Sequence, residues 1–297
     1  MKILITGSNG LLGQKLVADP GMTQHSVLAT GRGECRIPAL PTNTQYQMCD
    51  VSDPKDVMQV FSAFKPDVVI HSAAMTNVDE CELNPEVCHQ LNVVATQNVV
   101  EASNFTGSHL IHLSTDFIFD GESGPYSETD LPNPISVYGQ SKLDAEALVK
   151  NATCTWAIVR TVLVYGISPG LSRSNIILWV RSNLEQGKQI QVVDDQFRTP
   201  TLAEDLAMGC LLIAEKKAEG IFNISGKDFL TPYQMAIETA RFFNLDSSLI
   251  VKASAATFSQ PAKRPPRTGF VISKAETVLG YHPHSFTEGI GILSQQL

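Results

Sequence analysis

The sequence lacks several features that would place it outside the ordinary globular proteins. None of its apolar runs reaches the roughly 18 residues that a membrane-spanning helix needs. It has six cysteines, but no two are spaced as C-x-x-C, so neither a zinc site nor a disulfide framework is expected. Positive charge is also scarce, because 22 lysines and arginines stand against 30 acidic residues, a net charge of −8. That balance argues against binding to nucleic acid or to an anionic membrane surface.

The remaining composition is that of a globular chain. Its 297 residues are 43% apolar and 18% charged, which suffices to bury a large α/β core, with or without a smaller lobe. The sequence begins with a short apolar strand, Lys2–Thr6, and shows no signal-peptide pattern there. Together with the scattered cysteines, this predicts a cytoplasmic protein whose thiols are reduced.

A glycine-rich turn follows that first strand at once. Gly7, Gly10 and Gly13 are spaced as G-x-x-G-x-x-G, and an amphipathic helix comes next. Such glycines let the backbone approach a pyrophosphate, which the N-terminus of the helix attracts. We therefore predict a dinucleotide site here, the alternative being a glycine-rich turn with no ligand. Ala73 and Ala74, after a fourth predicted strand, are small enough to let the backbone pass close to a nicotinamide ribose.

The ends of the second and third predicted strands bear on the choice of cofactor. The strand over residues 25–30 ends without the acid that usually binds the ribose 2′-hydroxyl of NAD, and Arg32 follows it. An arginine suits a 2′-phosphate, so we favour NADPH over NADH; the alternative is a solvated turn arginine. Asp50, after the strand over residues 45–49, is a candidate for an adenine contact.

Three side chains carry the predicted chemistry. Thr115 stands at the carboxyl end of the strand predicted over residues 108–114, where open α/β sheets bind ligands. Tyr138 and Lys142 are four residues apart and so lie one helical turn from each other. Because a lysine ammonium beside a phenol favours the phenolate, we expect a lowered pKa and a role in proton transfer for Tyr138. Standing alone, such a pair would more often be two residues on a solvated helix face.

The regular alternation of strands and helices ends near residue 166. We predict a Rossmann-type doubly wound parallel sheet over residues 1–165 and a smaller C-terminal α/β substrate lobe over residues 166–297. The loop over residues 116–137 is long, which is typical of a lid or a substrate-contacting segment. Further predicted elements are helices over residues 85–104, 172–187, 202–217 and 231–244 and strands over residues 190–193 and 221–224; the helix over 202–217 is expected to pack back on the first domain.

A basic, proline-stiffened arm follows over residues 260–267. In an acidic protein, a bound diphosphate needs local cations, and the arm could supply them. The alternative for each is a surface cation. The candidates are Arg198, Lys263, Arg264 and Arg267.

Taken in order, these motifs resemble those of the extended short-chain dehydrogenase/reductases, and in detail those of the dTDP-4-dehydrorhamnose reductase family. The resemblance covers essentially the whole chain. Its Ser-Thr-Asp and Asp-Gln-Phe segments are more specific than the glycine turn. The matching segments are residues 73–79, 114–121, 137–142, 159–161, 195–201 and 262–265.

The resemblance implies NAD(P)H-dependent reduction of the C4 keto group of a nucleotide-linked deoxysugar, as in dTDP-L-rhamnose biosynthesis. It implies Tyr138 as proton donor, Thr115 as the hydroxyl on the substrate carbonyl, and Lys142 as the holder of the nicotinamide ribose. The implied cofactor contacts are Gly7, Gly10, Leu11, Leu12, Asp50, Ala73, Ala74, Thr76, Tyr138 and Lys142, to which we add Asn9, Gly13, Arg32, Val51 and Met75.

Two positions near the predicted substrate depart from the family pattern. Leu163 stands where rhamnose-forming members have a tryptophan, so a sugar face lacks an aromatic partner. Arg198 stands where glycine is expected and adds a bulky cation. These two changes leave the predicted reaction type intact, but the identity of the sugar does not follow from the sequence. The predicted substrate contacts are Thr115, Asp116, Leu163, Arg198 and Arg264.

Two other functions share these motifs. One is a non-catalytic, NADP-binding regulatory subunit similar to the methionine adenosyltransferase β subunit, whose arginine before a Phe-Pro-Thr run loosely resembles Arg198-Thr199-Pro200. The other is a sugar-nucleotide epimerase or dehydratase, although no Asp-Glu pair follows Thr115, as dehydratases usually need.

The expected partner is a nucleotide sugar, with no nucleic acid and no membrane. Some members of the family form homodimers through a Mg²⁺ ion held by acidic residues. The sequence does not place such ligands, so we predict no metal site, and a homodimer and a role for Mg²⁺ stay open.

Overall fold

The computed structural model describes residues 1–170 and 175–297. Its strands are β1 (Lys2–Thr6), β2 (Ser26–Gly31), β3 (Thr44–Met48), β4 (Val68–His71), β5 (His109–Thr115), β6 (Trp156–Thr161), β7 (Val164–Tyr165), β8 (Ile190–Val193), β9 (Thr201–Leu202), β10 (Gly220–Asn223) and β11 (Ile250–Ala253). Its α-helices are α1 (Leu11–Ala18), α2 (Pro54–Phe64), α3 (Val78–Leu83), α4 (Pro85–His89), α5 (Ala95–Thr106), α6 (Val137–Lys150), α7 (Ile176–Glu185), α8 (Ala203–Lys216), α9 (Pro232–Phe242) and α10 (Phe286–Ser294).

A seven-stranded parallel sheet forms the centre of the molecule. Its strands follow the order β10-β6-β5-β4-β1-β2-β3. The chain starts at β1, adds β2 and β3 on one side of it, and then returns to add β4 on the other side. Ligands bind to such sheets at the carboxyl ends of the strands, beside the point where the order reverses. The predicted Rossmann-type doubly wound sheet is confirmed, and its binding edge lies at the ends of β1 and β4.

Helices cover both faces of this sheet, and alternate residues of each strand supply two apolar cores. Ile3 and Ile5 of β1 pack on one face with Leu206 of α8, whereas Leu4 packs on the other face with Phe61 of α2. Strands buried on both faces have near-continuous apolar sequences, which is why β1 and β4 could be located from the sequence. The binding edge is therefore supported from both sides.

The region between β4 and α5 differs from the sequence prediction. The short helix α3 was not indicated by the sequence; the side chain of Asn77 caps it by accepting a hydrogen bond from Glu80 N (3.3 Å). The single helix predicted over residues 85–104 is interrupted by a π-helical turn, Gln90–Val94, between α4 and α5. Such turns recur at functional sites. This one brings Asn92 against the segment that carries Met75.

The C-terminal half contributes to the central sheet as well as to a separate layer. Strand β10 pairs with β6, and α8 packs on α1, with Lys15 and Glu204 forming an ion pair of 2.8 Å. Strand β11, which the sequence did not indicate, pairs with β8 beneath α7 and α9. The first residues of the helix predicted over 172–187 lie outside the described residues. The division at residue 165 stays a prediction.

In the described part of the chain, no helix is long and apolar enough to cross a membrane.

Candidate active site

The glycine turn between β1 and α1 packs directly on the segment that follows β4. Gly7 has φ +70°, and a Cβ there would lie 2.8 Å from backbone atoms of Ala73. A Cβ on Gly13 would lie 2.4 Å from Ser8 Cα and 2.5 Å from Gly7 O. Both glycines are therefore needed for the close approach of helix, turn and neighbouring strand. This is the geometry that a pyrophosphate-binding turn requires.

Asn9 uses its side chain inside the protein. Its Nδ2 donates to Glu34 O (3.0 Å) and Tyr46 Oη (3.1 Å), while its Oδ1 accepts from Arg36 N (2.8 Å). These bonds attach the loop after β2 to the glycine turn. The structure thus places Asn9 beside the predicted cofactor site as an anchor of the loop that carries Arg32.

A cleft of about 250 Å³ opens beside this turn. It contains six residues that the sequence predicted as cofactor contacts and three, Glu80, Val87 and Leu91, that it did not. The predicted six are Arg32, Asp50, Val51, Ala73, Ala74 and Met75.

Arg32 and Asp50 bring opposite charges to one end of the cleft. Partial burial raises the pKa of Asp50, but hydrogen bonds from Ser52 and the positive charge of Arg32 hold it below its ordinary value. An ionised carboxylate and a guanidinium side by side suit the hydroxyl, phosphate and amine groups of an adenosine. The residues present therefore fit the adenosine end of a nicotinamide dinucleotide.

Replacing Arg32 with alanine is expected to weaken NADPH binding by about tenfold and to leave NADH binding unchanged. The reason is that a charge-assisted hydrogen bond to the 2′-phosphate contributes roughly 1.5–3 kcal/mol, and NADH has no such phosphate. Dissociation constants for both cofactors, measured by quenching of protein fluorescence, check this. Equal losses for the two cofactors would contradict a role in phosphate recognition, and Arg36→Ala on the same loop serves as the control.

Tyr138 lies in the first turn of the helix α6. Ser136 caps that helix by accepting a hydrogen bond from Gly139 N (3.2 Å), and the ring of Phe117 meets Tyr138 edge-on at 5.7 Å. The side chain is buried against Cys81 and Cys88. Because of this burial, the pKa of Tyr138 is raised, and a hydrogen bond with Thr115 offsets the rise only in part.

The expectation that Lys142 lowers the pKa of Tyr138 is therefore wrong for this structure. Lys142 is buried too, and its Nζ lies 3.3 Å from Nε2 of His112 rather than against the phenol. Burial lowers the pKa of Lys142 to about 8, although the nearby Glu146 carboxylate raises it. Tyr138 is thus a neutral proton donor near pH 7, with a lysine one helical turn away that titrates slightly above neutrality.

Thr115 ends β5 next to a buried carboxylate. Its Oγ1 donates to Asp116 Oδ1 (3.1 Å), and the hydroxyl of Thr268 donates to Asp116 Oδ2. Arg198 Nε stands 3.8 Å from the same Oδ2. Burial raises the pKa of Asp116, and the charge of Arg198 opposes that rise. Asp116 consequently links the end of β5 to Arg198 and to Thr268, the residue that directly follows the arm.

Arg198 and Arg264, the two arginines predicted to bind the substrate, both form hydrogen bonds within the protein. Arg198 is 6% exposed, and its guanidinium donates to Phe197 O (2.7 Å), Pro266 O (3.2 Å) and Pro265 O (2.6 Å). In this structure it therefore organises the arm instead of presenting its donors to a ligand. Arg264 donates to both carboxylate oxygens of Asp79, at 2.6 and 3.1 Å, and is partly exposed.

Leu163, another predicted substrate contact, lies between β6 and β7. It is 44% exposed and has φ +38°, a left-handed conformation that branched side chains seldom adopt. The remaining predicted cofactor residues stay near the turn or the cleft: Gly10 precedes α1, Leu11 and Leu12 are half-buried in its first turn, and Thr76 lies between β4 and α3.

Besides the three cleft residues, four further side chains around the site were missed by sequence reasoning. Glu146 had a usable signal, because it lies one turn beyond Lys142 on the same helix. His112 is separated from Lys142 by 30 residues, Thr268 from Asp116 by 152, and Asp79 from Arg264 by 185. No local pattern marks such pairs. Among the residues that the structure describes, no three His, Cys, Asp or Glu side chains come together as metal ligands.

A parallel sheet of this order, a glycine turn at its switch point and a Thr-Tyr-Lys set at its carboxyl edge define an extended short-chain dehydrogenase/reductase. Within that class, the model of the RmlD substrate binding domain matches residues 1–297, and the chain belongs to that family. The predicted relationship to the dTDP-4-dehydrorhamnose reductases is thereby confirmed.

Individual relatives point to two kinds of protein. The chain is 33% identical over 252 residues to the methionine adenosyltransferase 2 subunit beta of Xenopus laevis, covering 83% of this chain and 73% of that one. It is 32% identical to a probable low-salt glycan biosynthesis reductase of Haloferax volcanii, over 94% of this chain and 93% of that one. The crystal structure of the dTDP-4-dehydrorhamnose reductase of Bacillus anthracis in complex with NADP superimposes with a TM-score of 0.85 at 25% identity, covering 100% and 99% of the two chains.

Proposed function

We propose that this protein reduces the C4 keto group of a nucleotide-linked deoxysugar with NADPH or NADH. The observation that carries the proposal is the buried phenol of Tyr138, which interacts with Thr115 and packs in one cluster with Met75, a residue that lines the cleft beside Arg32 and Asp50. A phenol in contact with a threonine hydroxyl, next to a site shaped for a dinucleotide, is what reduction of a carbonyl needs.

Each of the three side chains has a distinct role. A bound nicotinamide cofactor supplies the hydride. Tyr138, protonated near neutral pH, delivers its proton to the carbonyl oxygen of the substrate, and the Thr115 hydroxyl donates a hydrogen bond to the same oxygen as negative charge develops there. Lys142, whose ammonium is buried, would hold the ribose of the nicotinamide. In this structure the single Thr115 hydroxyl proton is donated to Asp116 Oδ1 at 3.1 Å, so the hydroxyl must turn from Asp116 to the substrate oxygen in order to donate there.

The cations of the C-terminal arm are the reason for proposing a substrate that carries a nucleotide diphosphate. Lys263, Arg264 and Arg267 lie on that arm, and Arg264 is paired with Asp79 in this structure. We propose that the substrate diphosphate takes the place of the Asp79 carboxylate on Arg264. The names of the Haloferax and Bacillus relatives agree with a sugar-modifying reductase. Leu163 is exposed where rhamnose-forming members of the family have a tryptophan. Because a leucine offers no aromatic ring to pack on the sugar, it favours a sugar other than rhamnose.

Consumption of NADPH and NADH, followed by absorbance, tests the proposal. The chain is incubated with enzymatically prepared dTDP-4-keto-L-rhamnose and, in parallel, with other nucleotide-linked 4-keto deoxysugars. Turnover with at least one of them, and none with an unlinked keto sugar, is the expected result. Binding of NADPH without oxidation in the presence of any nucleotide-linked keto sugar would contradict the reductase function.

A second candidate is a regulatory subunit that binds the cofactor without turnover. The identity of 33% to the Xenopus methionine adenosyltransferase 2 subunit beta favours it. The buried Arg198 favours it too, because its guanidinium donates to carbonyls at residues 197 and 265 and so holds the C-terminal arm instead of a substrate. Stable co-elution with a methionine adenosyltransferase catalytic subunit, together with unconsumed NADPH, is the outcome that distinguishes this function.

A further inference from the structure

Lys142 is held by a histidine that none of the predicted roles uses. Its Nζ lies 3.3 Å from Nε2 of His112, on the neighbouring strand β5. Lys142 is 3% exposed and His112 is fully buried. A buried ammonium needs an acceptor, because its desolvation otherwise favours loss of the proton.

The contact defines the tautomer of His112. An ammonium can only donate, so Nε2 must be the unprotonated nitrogen and Nδ1 must carry the hydrogen. Burial, together with the positive charge of Lys142 and the neighbouring His71 ring, lowers the pKa of His112 well below its ordinary value, which keeps the ring neutral. In the described residues, Nδ1 has no hydrogen-bond partner and is buried. Within the described residues, the His112 ring therefore has its hydrogen bond with Lys142 alone.

The histidine is itself held rigidly. Its ring lies 5.3 Å from that of His71 at an angle of 37°. His71 is fixed through both ring nitrogens, by Thr6 Oγ1 at 2.7 Å and Thr96 Oγ1 at 3.2 Å. Strand β5 supplies the backbone support for His112, and it ends three residues later at Thr115. One short segment thus presents both Thr115 and the acceptor for Lys142.

We propose that His112 is a positioning residue for Lys142, whose ammonium its neutral imidazole accepts through Nε2 and so keeps charged and fixed where the nicotinamide ribose binds. The inference rests on the proposed function through the role of Lys142. The titratable groups that face Lys142 besides His112 are Glu146, on its own helix, and Cys88, on α4. His71, on β4, faces His112 from the other side.

The tautomer is tested on the protein without substrate. Nitrogen-15 NMR of the histidine side chains should show an unprotonated Nε2 on His112, shifted by Lys142→Met. A proton on Nε2, or a His112 signal that does not respond to Lys142→Met, would overturn the inference whatever the protein's activity.

The positioning role is tested by NADPH dissociation constants measured from pH 6 to 10. His112→Leu removes the acceptor and should weaken binding by roughly tenfold near pH 8, because a lost hydrogen bond to a charged group carries at least that factor. It should also move the alkaline loss of affinity down by about one pH unit. His112→Gln, whose side-chain oxygen can accept in place of Nε2, should restore both quantities to within about threefold.

A matched control is available on the same strand. His109 is also buried, at 3% exposed, but its ring bonds Thr155 at 3.0 Å instead of Lys142, so His109→Leu should leave the pH profile of binding unchanged. An identical loss at every pH in both His112 variants would indicate a merely structural role and overturn the inference. If His112→Leu fails to fold by circular dichroism, the NMR result on the intact chain decides. Absence of turnover with every keto sugar would instead remove the proposed reaction while leaving the tautomer and the binding profile intact.

Discussion

Replacement of Tyr138 by phenylalanine is expected to lower kcat for keto-sugar reduction by about 10²–10⁴-fold. The buried phenol is protonated near neutral pH and touches Thr115, and phenylalanine keeps the ring but removes the proton. Because the edge-on contact with Phe117 persists, the fold and the cleft should be unchanged. The dissociation constant for NADPH should therefore stay within about threefold, since the lost group acts on the transition state.

Steady-state kinetics and cofactor titration on the same preparation measure these two quantities. Tyr233→Phe is the matched control: this tyrosine lies in α9, with Lys252 Nζ 4.7 Å above its ring, and the substitution keeps the ring. It should have wild-type kinetics. A Tyr138→Phe variant that retains more than about a tenth of kcat would show that another group delivers the proton.

Loss of the Glu146 carboxylate is expected to lower the free energy of unfolding by about 3–5 kcal/mol. Arg160 Nε and Nη2 bond the two carboxylate oxygens at 2.9 and 2.8 Å, and Ser114 Oγ donates to Oε1 at 2.7 Å. Glu146 is fully buried and Arg160 is 1% exposed. Glu146→Leu would leave a buried guanidinium without a counter-ion, which is the costly case.

Urea denaturation of three variants separates the cost of an unpaired charge from the value of the pair. The double variant Glu146→Leu/Arg160→Met should recover a large part of the loss, because both charges are then absent. Glu185→Leu removes one partner of the exposed Arg181–Glu185 pair and should cost less than about 1 kcal/mol. A Glu146→Leu variant as stable as Glu185→Leu would contradict the account.

The same pair makes stability depend on pH in a definite direction. Burial raises the pKa of Glu146, but the hydrogen bonds and charge of Arg160 outweigh it and hold the pKa below the ordinary glutamate value. A carboxylate with a lowered folded-state pKa contributes stability above its unfolded-state pKa, near 4.3, and loses it as pH falls through the folded-state value. The difference in stability between wild type and the double variant should therefore narrow in acid.

Local chemistry explains which parts of this protein could be predicted from its sequence. The strand β1, the glycine turn and α1 are consecutive, and every requirement of the turn is visible in the spacing of Gly7, Gly10 and Gly13. The same holds for Tyr138 and Lys142, which share one helix. A parallel sheet then brings Thr115 to the same edge, because its strands all end on that side.

Contacts between distant segments explain the rest. The pKa of Tyr138 depends on how deeply α3 and α4 bury it, and the interruption of the helix by the π turn could not be inferred from apolar periodicity. The sequence predicts that Arg198 faces a ligand. In the structure its guanidinium instead donates to the carbonyls of residues 265 and 266, which its sequence neighbours do not reveal. Such partners follow from tertiary packing and leave no trace in local spacing.

Transfer of deuterium from NADPH, labelled at the transferable position of its nicotinamide, tests the central claim most directly. The chain is incubated with the labelled cofactor and a nucleotide-linked 4-keto deoxysugar, and the product is examined by NMR. The account predicts one deuterium on C4 of the sugar and its absence when Tyr138→Phe replaces the wild type over the same time. A product without deuterium at C4, or an unchanged sugar beside bound and unconsumed NADPH, would contradict it.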